Sequence, residues 1–245
     1  MSARVQDLEI HKLRQALQRL HDLLPLKDRQ DSLAPDVRKL HRSILSTLVA
    51  EGRVMTGDEI AKALGGNADA ARAAVALLGA YDLVVRSPLT LTDTKTGRQV
   101  VIDAMGGDVV GAYPVTTEVT PHRIKVNGHS IHAMCAVDAL AVSPVFGADV
   151  QIDSVCHVSG ESVHIEQRRK EVLKCKPALD DLRIGVRWQR VTTTAAHVLC
   201  RQMVFLKDAA TAAAWQSRDP GSIDIFTVAE AIDFGEAFFK PLLRD

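Results

Sequence analysis

The chain has 245 residues, of which 47% are apolar and 24% charged, with 30 Lys plus Arg against 30 Asp plus Glu. This composition predicts one large or two small folded domains and excludes a disordered, collagen-like or low-complexity protein. A net charge of zero provides no overall field that would attract nucleic acid or an anionic membrane.

The lack of a recognisable targeting signal and the small number of cysteines both indicate a reducing compartment. No stretch approaches the ~20 apolar residues that span a bilayer, and the first residues carry charges from Arg4 onward, unlike a signal peptide. We therefore expect a cytoplasmic protein with no membrane partner. Four cysteines are too few for a disulfide scaffold, so we expect reduced thiols whose role, if any, is thiol or thiolate chemistry.

An amphipathic helix is predicted at the start of the sequence, over residues 4–25. Val5, Leu8 and further leucines recur at helical spacing, and Pro25 ends the run. Residues 26–35 are predicted to form a polar connector. We treat residues 1–33 as an amino-terminal helical extension.

The next segment has the element order of a winged helix-turn-helix domain. Helices are predicted over residues 35–50, 56–64 and 67–81; Thr56 and Glu59 form a capping box for the second. Asn67 or Asp69 caps the third. Strands around residues 83–85 and 89–91, a turn at 94–97 and a strand at 100–101 follow. We therefore predict a winged-helix-like domain over residues 34–106.

The third helix of this segment lacks the side chains that DNA binding requires. It carries one cation, Arg72, with Asp69 nearby, and is otherwise mainly Ala, Val and Leu. Binding to DNA depends on several Lys or Arg residues at phosphates and on polar side chains that read base edges. We expect this helix to pack against a second domain, and we expect no nucleic-acid partner.

Residues 107–245 have a mixed pattern of short strands and helices. Strands are predicted at 109–112, 114–119, 123–126, 149–155, 162–166, 183–191 and 197–206. Helices are predicted at 131–142, 168–175 and 208–217, with a terminal helix at 227–243. The predicted fold class is α+β: an amino-terminal winged-helix-like helical domain followed by a mixed α/β domain with short, mainly antiparallel strands.

The segment around Cys135 carries the clearest chemical signal. A strand ending at Val126 and a turn at Gly128 place Cys135 near the start of a helix, and Asp138 shares its helical face at i+3. A helix N-terminus favours a thiolate, whereas apolar neighbours let an aspartate hold its proton near neutral pH. The pattern indicates a nucleophile beside a proton donor, although a buried cysteine and a turn-capping aspartate also fit it.

Three segments resemble the alkylmercury lyase family. The core motif is CAVDALAVSPVFGADVQIDSVCHVSGESVHI, which begins at Cys135; a second cysteine segment is VLCRQMVFLKDAATAAAW, with Cys200 on a strand; the end is DIFTVAEAIDFGEAFFKPLL. The resemblance covers about residues 120–245, and the amino-terminal half is similar only in architecture. The sequence departs from the family at Met134, Leu199 and Arg201, which bears on substrate fit.

The resemblance implies an organomercurial lyase, which cleaves carbon–mercury bonds by protonolysis to a hydrocarbon and thiol-bound Hg(II). Cys135 and Cys200 would attack and hold mercury, a soft metal that prefers thiolate ligands. Asp138 would protonate the carbon and share in the metal site. Residues 107–245 would be the catalytic domain, with no cofactor apart from external thiols for turnover. Cys156 would be structural.

The implied partners are a small organomercurial substrate and, for the product, a mercuric reductase or low-molecular-weight thiols. Two alternatives remain open at this point. One is a non-catalytic protein that binds mercury or copper through the same thiols, and the other is a metal-responsive regulator that uses the winged helix. Asp138 favours the enzyme, because pure thiol binding does not need a carboxyl group.

The remaining cysteines and histidines indicate no second site. A zinc site of Cys156 and His157 with His129, His132 or His164 is disfavoured, since structural zinc sites usually contain a close Cys or His pair. Cys175 lies between Lys174 and Lys176, which are expected to lower its pKa. We interpret it as an incidental exposed cysteine.

Overall fold

The computed structural model describes residues 3–92, 94, 96–103 and 106–244, apart from the side chains of residues 3–10, 100 and 102. The side chains of Val5 and Leu8, and Lys95 of the predicted turn, lie outside this description. Among the described residues, no helix combines the length and the apolar character needed to cross a membrane.

Five helices form the amino-terminal region: α1 (Ala3–Leu23), α2 (Leu26–Asp31), α3 (Pro35–Glu51), α4 (Gly57–Ala63) and α5 (Ala68–Ala80). The capping box of Thr56 and Glu59 is present at α4, and the Asn67 side chain caps α5. These features confirm the predicted helices over 4–25, 35–50, 56–64 and 67–81 to within a few residues.

The predicted polar connector over residues 26–35 is wrong, because α2 occupies most of it. Leu26 and Gln30 of this helix are buried. The Gln30 side-chain amide donates to the Leu242 carbonyl over 2.9 Å and contacts Nδ1 of His41 at 2.9 Å. A polar residue therefore faces the core here because buried partners contact its amide nitrogen, while its side-chain oxygen is left without a hydrogen-bond partner. Composition alone does not reveal those partners.

A hairpin of β2 (Leu89–Thr92) and β3 (Gln99–Asp103) follows α5, so the element order is that of the predicted winged-helix-like region. On α5, Ala71, Ala74 and Leu78 are buried, and Arg72 forms an ion pair with Asp69. The strand β1 (Val85–Arg86) pairs with a strand of the second region instead of with the hairpin. The two regions thus share a sheet, and the division at residues 33 and 106 stays a prediction.

The second region contains an eight-stranded antiparallel sheet in the order β1-β4-β5-β7-β6-β8-β9-β10. Its further strands are β4 (Val109–Ala112), β5 (Val115–Thr116), β6 (His122–Val126), β7 (His129–Ala133), β8 (Asp149–Val155), β9 (Ser162–Arg168) and β10 (Glu171–Lys176). A three-stranded sheet, in the order β12-β11-β13, consists of β11 (Arg183–Arg187), β12 (Met203–Leu206) and β13 (Ile223–Thr227). The helices are α6 (Ala136–Phe146), α7 (Ala209–Gln216) and α8 (Val228–Phe239). The predicted α+β class with mainly antiparallel strands is confirmed.

Four details of the prediction are wrong in this region. Residues 129–133 form a strand, so the helix predicted at 131–142 begins only at Ala136, and residues 171–176 form β10 in place of a helix. Cys200 lies in a 3-10 turn, not on a strand, and β13 was not predicted. Both missed strands are short and mix polar with apolar residues, and a run of five or six residues does not distinguish a strand from a helix by its period alone.

Helix α6 lies at the centre of the core and packs against α8. Every residue of α6 from Ala136 to Val145 is buried. Gly235 on α8 permits the close approach, since a Cβ atom there would lie 2.8 Å from the Cβ of Ala141. The helix that begins next to Cys135 is therefore held on all sides.

Candidate active site

Cys135 occupies the N-cap of α6, directly after β7. Its Sγ accepts a hydrogen bond from the backbone N–H of Asp138 at 3.3 Å. An N-cap side chain normally supplies an oxygen acceptor to the first turn; here the sulfur takes that role. Cys135 is fully buried and Asp138 is 2% exposed, so the cap fixes both groups inside the protein.

Cys200 approaches the same point from the second cysteine segment, in a 3-10 turn of residues 200–202. It is buried, and the sulfur atoms of Cys135 and Cys200 and a carboxylate oxygen of Asp138 all lie within 4.8 Å of one another. The structure therefore brings all three predicted site residues together. In the part of the chain that the structure describes, this is the one cluster of His, Cys, Asp or Glu with the spacing of a metal site.

A buried hydrogen-bond network fixes the segment that leads to Cys200. The Tyr113 hydroxyl donates to Oδ1 of Asp82 at 2.8 Å and accepts from the backbone N–H of Ala196 at 2.8 Å. The Thr194 hydroxyl donates to the same Asp82 oxygen at 2.5 Å, and the Ala195 N–H donates to Oδ2 at 2.9 Å. Asp82 follows α5, so the amino-terminal region helps to position the second thiol.

Burial determines the protonation of the cluster. It raises the pKa of Asp138 to about 7, against the partial opposing effect of hydrogen bonds with Cys135 and Cys200. Burial and the neighbouring Cys200 and Asp138 raise the pKa of the Cys135 thiol well above its usual value. For Cys200, a hydrogen bond from Cys135 lowers the pKa, but burial and the carboxyls of Asp138 and Asp82 raise it more, to about 11.

These directions contradict one expectation and agree with another. The helix N-terminus was expected to favour a Cys135 thiolate, but desolvation opposes any charge in this position and outweighs the backbone N–H. Asp138 does keep its proton near neutral pH, as its apolar surroundings predicted. The resting site at pH 7 therefore holds two neutral thiols and a carboxyl group whose pKa lies close to the pH, so that its protonated and ionised forms coexist.

The cluster also contains unused bonding capacity. Oδ2 of Asp138 is buried without a hydrogen-bond partner, which is costly unless a ligand or a proton satisfies it. Sγ of Cys135 lies 3.7 Å from Sδ of Met203 and donates its S–H toward it. A soft metal ion entering here would meet sulfur atoms, a proton donor and few competing hard ligands.

A cavity of about 480 Å³ lies next to the cluster. Met134 and Arg201, the sequence neighbours of the two thiols, line it, together with Phe205, His197 and Glu118. His197 and Glu118 contact each other at 3.2 Å. The mixed apolar and polar lining suits a small molecule with an apolar body; the thiols themselves lie behind this lining and are not part of it.

The other cysteines lie apart from this cluster. Cys156 is buried, and its Sγ accepts the Lys207 N–H at 3.3 Å. Cys175 on β10 is half-buried instead of exposed, and burial raises its pKa to about 11, so the predicted lowering by its lysine neighbours is wrong. The positive charges of Lys174 and Lys176 do not offset the effect of burial on the pKa of this thiol.

The histidines of the disfavoured zinc site have other partners. His129 contacts the Val49 carbonyl at 3.1 Å, and His132 contacts the Thr120 backbone. His164 pairs with Asp153 at 2.8 Å. His129, His132 and His164 each have a hydrogen-bond or ion-pair partner within the protein.

Sequence reasoning missed the Asp82 network and the contact of Met203 with Cys135. Asp82 and Thr194 are distant in the chain, and no spacing rule connects them. The one usable signal was Tyr113, since a buried tyrosine hydroxyl requires a partner.

Comparison with known proteins identifies the family of the chain. The sequence model of the alkylmercury lyase family matches residues 115–240, just over half of the chain. An alkylmercury lyase of Staphylococcus epidermidis is 30% identical over 129 residues, which cover 53% of this chain and 58% of that protein. An alkylmercury lyase of Streptomyces lividans is 25% identical over 199 residues and 81% of each chain.

A solved structure has the same fold. The mercury-bound form of MerB2 superposes with a TM-score of 0.69 and 22% sequence identity, covering 89% of this chain and 98% of that chain. Identity at this level shows the fold alone, whereas the family match extends over all three residues of the cluster. The chain therefore belongs to the alkylmercury lyase family.

Proposed function

We propose that this protein is an organomercurial lyase that cleaves carbon–mercury bonds by protonolysis. The observation that carries the proposal is the meeting of two thiols and a carboxyl group with a pKa of about 7 within 4.8 Å. The family of the chain and the adjacent cavity support it. The catalytic residues of the proposal are Cys135, Asp138 and Cys200.

The first step forms a sulfur–mercury bond. Ionised Asp138 accepts the proton of the Cys135 thiol as the sulfur attacks R–Hg–X, and X⁻ leaves. The neutral thiol needs this base because burial disfavours a free thiolate. Asp138, now protonated, lies beside the mercury-bound carbon, and no charge has been left unpaired in the buried site.

The second step breaks the carbon–mercury bond. Cys200 adds to mercury, which raises the electron density on the bound carbon, and its proton passes to Asp138 as Asp138 gives its own proton to the carbon. R–H leaves and mercury remains as a bis-thiolate. In sum, RHg⁺ and two thiols give RH, the mercury bis-thiolate and one proton.

The proposal has consequences outside the site. External thiols, or a mercuric reductase, must remove Hg(II) before the next turnover, and no redox cofactor takes part because mercury stays in the +2 state. The substrate is a small organomercurial whose organic group occupies the 480 Å³ cavity. A disulfide between Cys135 and Cys200 would block the reaction, so we place the protein in a reducing compartment such as the cytoplasm.

Release of methane or benzene from methylmercury or phenylmercury, measured in the headspace with excess thiol, tests the proposal. We expect Cys135→Ser, Asp138→Ala and Cys200→Ser each to abolish release, and Cys175→Ser to leave it unchanged as the matched control. Turnover that persists in any of the three variants would refute the mechanism. One equivalent of bound metal without hydrocarbon would instead support a binding protein, and a metal-dependent shift of promoter DNA a regulator.

A further inference from the structure

Met203 places a third sulfur atom at the site. It begins β12, three residues after Cys200, and its side chain is buried. Its Sδ is 3.7 Å from the Sγ of Cys135 and accepts that thiol's hydrogen. The Sγ of Cys200 lies within 4.8 Å of the Sγ of Cys135, so the thioether contacts one of the two thiols of the cluster.

We propose that the Met203 thioether is a third ligand for the mercury that Cys135 and Cys200 hold. The inference deepens the proposed function, on which it rests for the role of mercury as substrate and product. Mercury(II) is a soft ion, and thioether sulfur is a soft donor that metal sites use beside thiolates. In this cluster, the Met203 thioether lies in direct contact with Cys135, at 3.7 Å.

The binding step balances without any further reactant. Mercury displaces the S–H hydrogen through which Cys135 contacts Met203, and the proton goes to Asp138, as in the first step above. The lone pair of Sδ that accepted this hydrogen is then free to bind mercury. Because a thioether is neutral, this third bond adds no charge and releases no proton in a site where burial already penalises charge.

The contact has two consequences for the reaction. Before substrate enters, the thioether orients the Cys135 thiol without stabilising its thiolate. After mercury binds, the added lone pair raises the electron density on the metal and holds Hg(II) more tightly once the carbon has left. Loss of Met203 should therefore speed product release and slow carbon–mercury cleavage.

Met203→Leu removes the sulfur and keeps the volume, a change that cores tolerate well. The chain offers a matched control in Met134→Leu: Met134 is also buried and precedes Cys135, but it lines the cavity and its methyl end lies close to Gly111. Both variants lose one buried thioether. A general effect of losing a buried thioether would alter the mercury coordination of both variants alike, whereas loss of a ligand would lower the number of sulfur neighbours only in the Met203 variant.

The test uses the whole protein with one equivalent of HgCl2 and no external thiol. X-ray absorption at the mercury edge should show three sulfur neighbours in the wild type and in Met134→Leu, and two in Met203→Leu. The rate at which added glutathione extracts Hg(II) should rise about tenfold or more in Met203→Leu. Tenfold is the lower end of the loss of metal affinity that follows when a residue supporting a metal site is removed.

Two sulfur neighbours in the wild type, failure to bind HgCl2, or an unchanged extraction rate in Met203→Leu would overturn the inference. These measurements need no turnover, so they separate the two proposals. Three sulfur neighbours without hydrocarbon release would support Met203 as a mercury ligand and refute the lyase activity. Hydrocarbon release with two sulfur neighbours would support the lyase activity and refute Met203 as a ligand.

Discussion

The buried carboxyl of Asp138 should make the stability of the protein depend on pH in a predictable direction. Its pKa is about 7 in the folded protein against 3.8 ordinarily. A raised folded-state pKa contributes stability that is fully present below pH 4 and is lost as the pH rises through 7, because only the unfolded chain ionises freely in between. Stability should therefore fall from pH 5 to pH 8.

The size of this effect follows from the two pKa values. Each pH unit over which the unfolded carboxyl is ionised and the folded one is protonated costs about 1.4 kcal/mol. The Asp138 contribution over the whole interval is about 4 kcal/mol, of which about 3 kcal/mol falls between pH 5 and pH 8. That is a large part of the 5–15 kcal/mol that typically stabilises a folded domain.

Urea denaturation of the wild type and of Asp138→Asn at several pH values between 5 and 8 measures the effect. The amide does not titrate, so the free energy of unfolding of the wild type should fall by about 3 kcal/mol more than that of the variant. The buried His41 and His122, whose pKa values are lowered by burial to about 4, contribute equally to both proteins. Parallel curves for the two proteins would refute the buried, proton-holding Asp138.

Two further predictions concern the supports of the site. Tyr113→Phe leaves the Ala196 N–H without its acceptor and Asp82 with one donor fewer. It should lower the free energy of unfolding by about 1–3 kcal/mol and accelerate alkylation of Cys200 by a thiol reagent. Unchanged alkylation would show that the network does not hold this segment. Gly235→Ala forces a Cβ against Ala141 on α6. The overpacking should lower the free energy of unfolding, measured by the same denaturation assay, by about 1–3 kcal/mol. An equally stable variant would indicate that α6 and α8 separate easily.

Local signals in the sequence were sufficient for much of the architecture. Caps and breakers such as Thr56 with Glu59, Asn67 and Pro25 located helix ends, since these residues satisfy or terminate the backbone within a few positions. Short apolar runs located β8 and β9, and the structure shows alternating burial along both strands. The same local reasoning failed at β7 and β10, where strand identity depends on the neighbouring strands to which they pair.

The sequence by itself also determined the proximity of Cys135 and Asp138, because residues three positions apart on a helix lie on the same face. Only the tertiary structure decided that Cys200 and Met203 join them, since that meeting depends on the packing of α6 against β12. It also decided the protonation of the site. The helix N-terminus is a local feature that favours a thiolate, whereas the desolvation that reverses it comes from every element packed around the cluster.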